Sequence, residues 1–282
     1  MKNKREQSTK KRFNKIIKDI KSVKIQGARS IAKAALYAYS LNPIKKAKRK
    51  LINARPTEPL LVNVLNMIDK AKNKKIVYKE ILHHFDKAQE KINKHVFKLI
   101  KSGDVIFTHC HSTNVVQALI YSKKHRKKFE VYNTETRPLY QGRKTARELR
   151  NQGIKVTTFI DFAVNVALEK KQGTKKADKV FLGADAILKE GAINKIGSAV
   201  IAELAYKDKT PLYIIADSWK FSPKNVKIEE RDFHEVWKKR PKKIKIKNPA
   251  FEQIPKKHIK AIISEFGTLS YSDFLEKVKI KL

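Results

Sequence analysis

The sequence predicts an α/β protein in which an all-helical segment precedes a parallel sheet covered by helices, and three observations carry that prediction. Apolar residues recur at helical spacing from residue 13 to about 100. From residue 104 onward, short β-branched or aromatic runs alternate with helical runs, the pattern of βαβ units. With 282 residues, 41% of them hydrophobic, the chain can bury a sizeable core despite a charged fraction of 33%.

The helical part is read from Ile16, Ile17 and Ile20, then Ile31, Ala34, Leu36 and Ala38, then Leu60, Val64, Leu65 and Ile68, with Pro43 and Pro56 as punctuation. A last amphipathic stretch, Ala88 to Ile100, stops at Ser102 and Gly103. Strands are expected at Val105–Phe107, Glu130–Tyr132, Lys155–Ile160, Lys179–Leu182 and Pro211–Ala216. Helices are expected between them at Asn114–Lys123, Lys144–Gln152, Phe162–Leu168 and Lys195–Tyr206. The expected organisation is a basic tail over 1–12, a helical N-terminal domain over 13–103 and a Rossmann-like C-terminal domain over 104–282. No fixed-period repeat is present.

Charge is the extreme feature: 65 Lys plus Arg against 27 Asp plus Glu, a net +38. Clustered cations gain affinity for nucleic acid by releasing counterions from phosphates. The excess here is spread along the chain, with 27 basic and 7 acidic residues up to position 100 and 38 and 20 after it. Only the N-terminal tail and Lys45 to Lys50 form dense runs. The charge therefore reads as a solvated surface, with weak RNA or ribosome association as the polyanion alternative. No run of apolar residues is long enough to cross a membrane, and MKNKREQSTKKR lacks the apolar stretch of a signal peptide, so a cytoplasmic protein without a membrane partner is expected. A single cysteine, Cys110, rules out an intramolecular disulfide and multi-cysteine metal sites.

In an open parallel sheet, ligands sit outside the carboxyl ends of the strands. The residues there are chemically loaded: Thr108-His109-Cys110-His111-Ser112, then Thr134-Glu135-Thr136-Arg137-Pro138, then Asp161, then Gly183-Ala184-Asp185, then Asp217-Ser218-Trp219-Lys220. A thiol, four carboxylates and two cations thus meet on one rim, enough for general acid–base chemistry. Cys110 is expected where a helix begins, which would lower its thiol pKa. His109 and His111 do not complete a metal shell, so no metal is expected. Asp161 and Asp217 read as N-caps. Gly191-Ala192-Ile193-Asn194-Lys195-Ile196-Gly197 places Asn194 and Lys195 at a helix start, a turn suited to phosphate. Neither a G-x-G-x-x-G nor a P-loop motif is present, so no nucleotide cofactor is implied.

THCHS (108–112), TETRPLYQGRKTARELRNQGI (134–154) and GADAILKEGAINKIG (183–197) resemble the family that joins archaeal ribose-1,5-bisphosphate isomerases, methylthioribose-1-phosphate isomerases and the regulatory alpha, beta and delta subunits of translation initiation factor 2B. IQGARSIAKAA (25–35), RPTEPLLVNVL (55–65), DSWKFSP (217–223) and NPAFEQIP (248–255) extend the resemblance over nearly the whole chain. It implies a Rossmann-like C-terminal domain that dimerises, larger homo-oligomers, and no cofactor. The residues it implies as catalytic are Cys110, for the C2 proton of a sugar, and Asp185, for ring opening and proton transfer between oxygens. As substrate-binding residues it implies Gly27, Ala28, Arg55, Glu135, Arg137, Asn194, Lys195 and Lys220. The sequence departs from the family pattern at Gln26, where an arginine is usual, at His111, where asparagine is usual, and at Glu252 and Ile254.

The resemblance implies isomerisation of ribose 1,5-bisphosphate to ribulose 1,5-bisphosphate in nucleoside breakdown, a reading that the retained Cys110 and Asp185 favour. The alternative is a non-catalytic initiation-factor-2B-like regulator whose pocket binds a sugar phosphate or nucleotide. A third is the methylthioribose-1-phosphate paralogue, which the cationic set suits less well.

Overall fold

The structure, a computed structural model, describes residues 2–281. Five helices come first: α1 (Lys2–Lys21), α2 (Ala28–Leu41), α3 (Lys45–Ile52), α4 (Pro59–Lys70) and α5 (Lys74–Leu99). The residues expected as a basic tail are the first turns of α1. Lys, Arg, Glu and Gln are all good helix formers, and no Gly or Pro interrupts them. Pro43 and Pro56 fall between helices, and Pro59 occupies the first turn of α4, where its missing N–H costs nothing. Asn73 caps α5 by accepting from the N–H groups of Lys75 and Ile76.

Ile31, Leu36, Leu61, Leu65 and Ile81 are fully buried in a core of the helical segment. α5 is twice as long as the stretch expected for it, because its first half packs into that core through Ile81 and Phe85 while its second half buries Ile92 and Val96 against the sheet. One rigid helix therefore spans both parts.

The second part runs β1 (Val105–Thr108), α6 (Thr113–Lys124), β2 (Glu130–Thr134), α7 (Gln141–Arg150), β3 (Lys155–Phe159), a 3-10 turn at Asp161–Ala163, and α8 (Val164–Leu168). It continues through β4 (Lys179–Leu182), β5 (Ala186–Ile187), β6 (Gly191–Lys195), α9 (Ser198–Lys207), β7 (Leu212–Ile215), β8 (Phe251–Pro255), β9 (Ala261–Ser264), β10 (Gly267–Leu269) and α10 (Tyr271–Lys281). Seven strands form one sheet in the order β10-β9-β7-β4-β1-β2-β3, parallel throughout except for β10. All five strands expected from sequence are in it. Val105 and Phe107 face a core shared with α8, α9 and α10, and Ile106 faces one shared with α5, α6 and α7. Both faces are covered, which is why these strands read as unbroken apolar runs.

A small antiparallel sheet, β5-β6-β8, overturns one expectation. Gly191 to Lys195 is a strand and not the start of a helix, and α9 begins only at Ser198. The cause is distant: β6 pairs with β8 from Gly191 opposite Pro255 to Lys195 opposite Phe251. Gly191 permits this, since a Cβ there would lie 2.1 Å from the Ile254 carbonyl oxygen.

Candidate active site

The direction of strand addition reverses at β1, which has β2 on one side and β4 on the other. Loops leaving the carboxyl ends of β1 and β4 diverge there and open a crevice. Gly183 lets them approach, because a Cβ on it would sit 2.5 Å from the Ser112 hydroxyl oxygen. The helical segment closes the crevice from above. Asn63 of α4 donates to the carbonyls of Trp219 (2.8 Å) and Phe221 (3.1 Å), and the Thr57 hydroxyl donates to the carbonyl of Lys227. The result is a cavity of about 110 Å³ between the two parts, sized for a small molecule and not for a polymer.

Cys110 lies on this cavity in a left-handed backbone conformation, φ +64°, which a residue with a Cβ adopts only when its surroundings enforce it. The enforcing bonds are its N–H to the Thr136 hydroxyl (3.0 Å) and the Thr145 hydroxyl to its carbonyl (2.8 Å). Burial pushes the thiol up to about 11, against the opposing pull of Lys195. The expected lowering does not occur: α6 starts three residues later, at Thr113, and desolvation outweighs it.

Asp185 is anchored by its N–H to the Ile193 carbonyl (2.8 Å), and burial raises its carboxyl while Lys220 and Arg55 pull the other way. Lys220 donates to the Ala184 carbonyl (2.6 Å), one residue from Asp185. Lys195 and Asn194 project from the end of β6, and Asn194 donates to Ser198. Arg55 is buried, pairs with Glu229 at 3.1 Å and lies 5.6 Å over the Phe251 ring. Gly27 (φ +82°) and Ala28 bring the first turn of α2 to the cavity, and Ser112 and Thr113 bring that of α6. Three buried cations and two helix N-termini thus face one small space, an arrangement built for an anion with more than one charged group.

Cys110, Asp185, Gly27, Ala28, Arg55, Asn194, Lys195 and Lys220 are brought together; Glu135 and Arg137 are not. Glu135 pairs with Arg143 at 2.6 Å, and the exposed Arg137 donates to the Tyr140 hydroxyl and lies 5.3 Å from its ring. The reason is Asp161. It caps no helix of its own; its carboxylate accepts from the N–H groups of Thr136 (2.8 Å) and Arg137 (2.7 Å), which draws that loop toward β3. Asp217 does cap, accepting from the Trp219 N–H at 2.9 Å. Of the two cations near Gln26, Arg29 borders the cavity in an ion pair with Asp86, while Lys24 lies outside its lining.

Glu58 lines the same cavity at 1% exposure, a residue that sequence reasoning passed over. An acidic residue before Pro59 at a helix start reads as ordinary complement to the helix dipole. Here its side chain makes no cap bond.

His109 and His111 serve the loop. The His109 Nε2–H donates to the Ile196 carbonyl (2.9 Å), which leaves Nδ1 to accept from the Thr134 hydroxyl, and His111 Nδ1 meets the Thr145 hydroxyl at 2.9 Å. Among the described residues, His84, Asp217 and Glu265 have metal-like spacing, within 4.8 Å of one another. His84 and Asp217 bond each other at 3.1 Å, and Glu265 accepts from Ser218. Burial holds His109 neutral, its pKa pushed down to about 4. The unfolded chain therefore takes up a proton that the folded one refuses. Stability is full above pH 6.5 and falls as pH drops toward 4, by about 3 kcal/mol for His109 alone. Urea melts at pH 7 and pH 4.5 should show this loss, and His109→Gln should reduce it.

The fold and the crevice define a doubly wound α/β protein with a cation-lined cavity at the switch point of its sheet, roofed by a helical segment. The chain belongs to the initiation factor 2 subunit family, whose model matches residues 6–271. It is 35% identical over 258 residues to a ribose 1,5-bisphosphate isomerase of Thermococcus kodakarensis, covering 78% of each chain. To a protein of the same name from Methanocaldococcus jannaschii it is 37% identical over 244 residues, covering 77% of each. Among solved structures, a translation initiation factor eIF-2B of Pyrococcus horikoshii OT3 superposes with a TM-score of 0.81 at 27% identity, over 92% of this chain and 97% of the other.

Proposed function

We propose that this protein is an isomerase that converts ribose 1,5-bisphosphate to ribulose 1,5-bisphosphate. The observation that carries the reading is the convergence of Cys110 and Asp185 on one cavity ringed by Arg55, Lys195 and Lys220. Names borne by relatives at 35% and 37% identity support it. A sugar phosphorylated at C1 is locked as a ring, so the reaction needs one group to protonate the ring oxygen and another to take the C2 proton. Asp185, a carboxyl biased toward its acid form by burial, suits the first task. Cys110 suits the second: burial makes its thiolate scarce and strongly basic, matched to a carbon-bound proton. Two phosphates fit the three cations and two helix N-termini better than the single phosphate of methylthioribose 1-phosphate.

The test is incubation with ribose 1,5-bisphosphate and a coupled readout of the ketose bisphosphate. Turnover is expected. Its absence, joined by a salt-sensitive RNA complex, would move the protein to the regulatory-subunit reading.

The enzyme is proposed to be cytoplasmic and homo-oligomeric; among the described residues no helix is long and apolar enough to cross a membrane. Phe162 is fully exposed beside Ile160, itself exposed, an apolar pair fit for a second copy. Light scattering should give a dimer or a multiple of it, and Phe162→Asp should shift the mass toward a monomer.

A further inference from the structure

A further dense run of cations, beyond those at the N-terminus and Lys45 to Lys50, lies between β7 and β8. From Trp237 to Lys247, seven of eleven residues are Lys or Arg and none is Asp or Glu. The run forms an arm that stands on a closed base. There the Arg231 N–H donates to the Asn248 carbonyl (2.8 Å), the Ala250 N–H to the Glu229 carbonyl (3.0 Å) and the Asn248 side-chain amide to the Asp232 carbonyl (3.0 Å). Within the arm the Arg240 guanidinium lies 4.5 Å over the Phe233 ring and donates to the Ile244 carbonyl. Residues 238–245 are exposed throughout.

Two features of the arm serve nothing inside the fold. Among the described residues, Lys238, Lys239, Lys242, Lys243 and Lys245 have no acidic partner, whereas Lys247 pairs with Glu230 at 3.4 Å. Unneutralised like charges repel one another, a cost that an outside polyanion would offset. The Trp237 indole is 47% exposed, and among the described residues it makes no ring contact and its side-chain N–H has no acceptor. Trp219, by contrast, stacks on His84 at 3.5 Å.

We propose that the arm is a docking surface for single-stranded RNA, whose phosphates the lysines neutralise while Trp237 stacks on a base. Cations that follow a backbone, joined to a free aromatic face, hold single strands with little regard to sequence. A duplex keeps its base faces stacked inside, and RNA is the nucleic acid that presents them unpaired. An acidic membrane surface is met by an amphipathic helix, and no helix follows Glu235 before β8. None of residues 237–247 lines the cavity, so RNA binding and turnover are separate properties of the chain.

Anisotropy of a labelled oligouridine, titrated over a range of salt, tests the surface. The logarithm of the affinity should fall linearly with that of the salt concentration, by about 0.7 for each phosphate contacted. Lys238→Glu/Lys239→Glu/Lys242→Glu should weaken binding at least about 10-fold and flatten that slope by about 2, three contacts at about 0.7 each. Trp237→Ala should weaken it about 5- to 100-fold and leave the slope unchanged, with Trp237→Tyr, which keeps a ring, restoring most of the affinity. RNA should also quench the indole emission of the wild type, and Trp237→Ala should lose that quenching, because Trp219 is already stacked.

An equal loss in Lys45→Glu/Lys46→Glu/Lys50→Glu, the same charge change placed on α3, would make the binding a property of diffuse charge and overturn the proposal. So would a wild type that binds no RNA, unchanged binding in the arm variants, or binding to phosphatidylserine vesicles in place of RNA. A smaller particle for Trp237→Ala in light scattering would give the indole to a second copy and overturn it as well. Turnover of a sugar bisphosphate bears on none of these outcomes.

Discussion

Replacing Cys110 by alanine is expected to lower kcat for ribose 1,5-bisphosphate by about 10³- to 10⁴-fold with little change in KM, the effect of removing a positioned acid–base group from a carbon acid's reaction. The fold should survive, since the strained turn is held by backbone bonds to Thr136 and Thr145 and not by the sulfur. A second signature follows from the raised thiol. Its pKa of about 11 leaves little thiolate at neutral pH, so the wild-type rate should climb with pH across the neutral range, and Cys110→Ala should lose that climb. Stopped-time assays of both proteins between pH 6 and 9 check both points. Full activity in Cys110→Ala would remove the thiol from the chemistry and assign the C2 proton to another group of the cavity.

Arg55→Met is expected to be the most damaging single change to the cavity. Arg55 is the cation set between Glu58 and Glu229, whose side chains are 1% and 10% exposed. Methionine fills much of the same volume but leaves the Glu229 carboxylate, 3.1 Å from the guanidinium, without its counter-charge. Breaking a buried pair in this way costs about 3–5 kcal/mol, more than a surface ion pair contributes in total. Urea melting of the free proteins measures that loss. Calorimetry with inorganic phosphate or the sugar bisphosphate should show weakened binding as well. Unchanged stability would mean that the Arg55–Glu229 pair adds nothing to the fold, and unchanged affinity would place Arg55 outside the anion site.

Much of the fold was legible in the chain because it is written locally. The runs at Val105, Glu130, Lys155, Lys179 and Leu212 are short and β-branched or aromatic, their loops carry turn residues, and a buried parallel strand needs little more. β6 was misread for the opposite reason. Its partner β8 lies some 60 residues away, and nothing in Gly191–Lys195 announces it. The same holds within the site. Cys110 and Asp185 could be singled out because THCHS and GADAILKEGAINKIG resemble the family's motifs and each residue closely follows an expected strand. Glu135 and Arg137 follow β2 and were expected beside them, until Asp161 captured their loop through two backbone N–H groups.

By itself, then, the sequence determined the order of the five strands β1, β2, β3, β4 and β7 and of the helices between them, the family, and the chemical inventory of the rim: one thiol, its carboxylates and its cations. These depend on spacing and residue type, which a chain carries openly. The tertiary structure alone decided that Glu58 is buried on the same cavity as Asp185, and how far burial raises Cys110. Desolvation and charge pairing act through space at a few ångströms, between groups such as Glu58 and Asp185 that stand 127 positions apart.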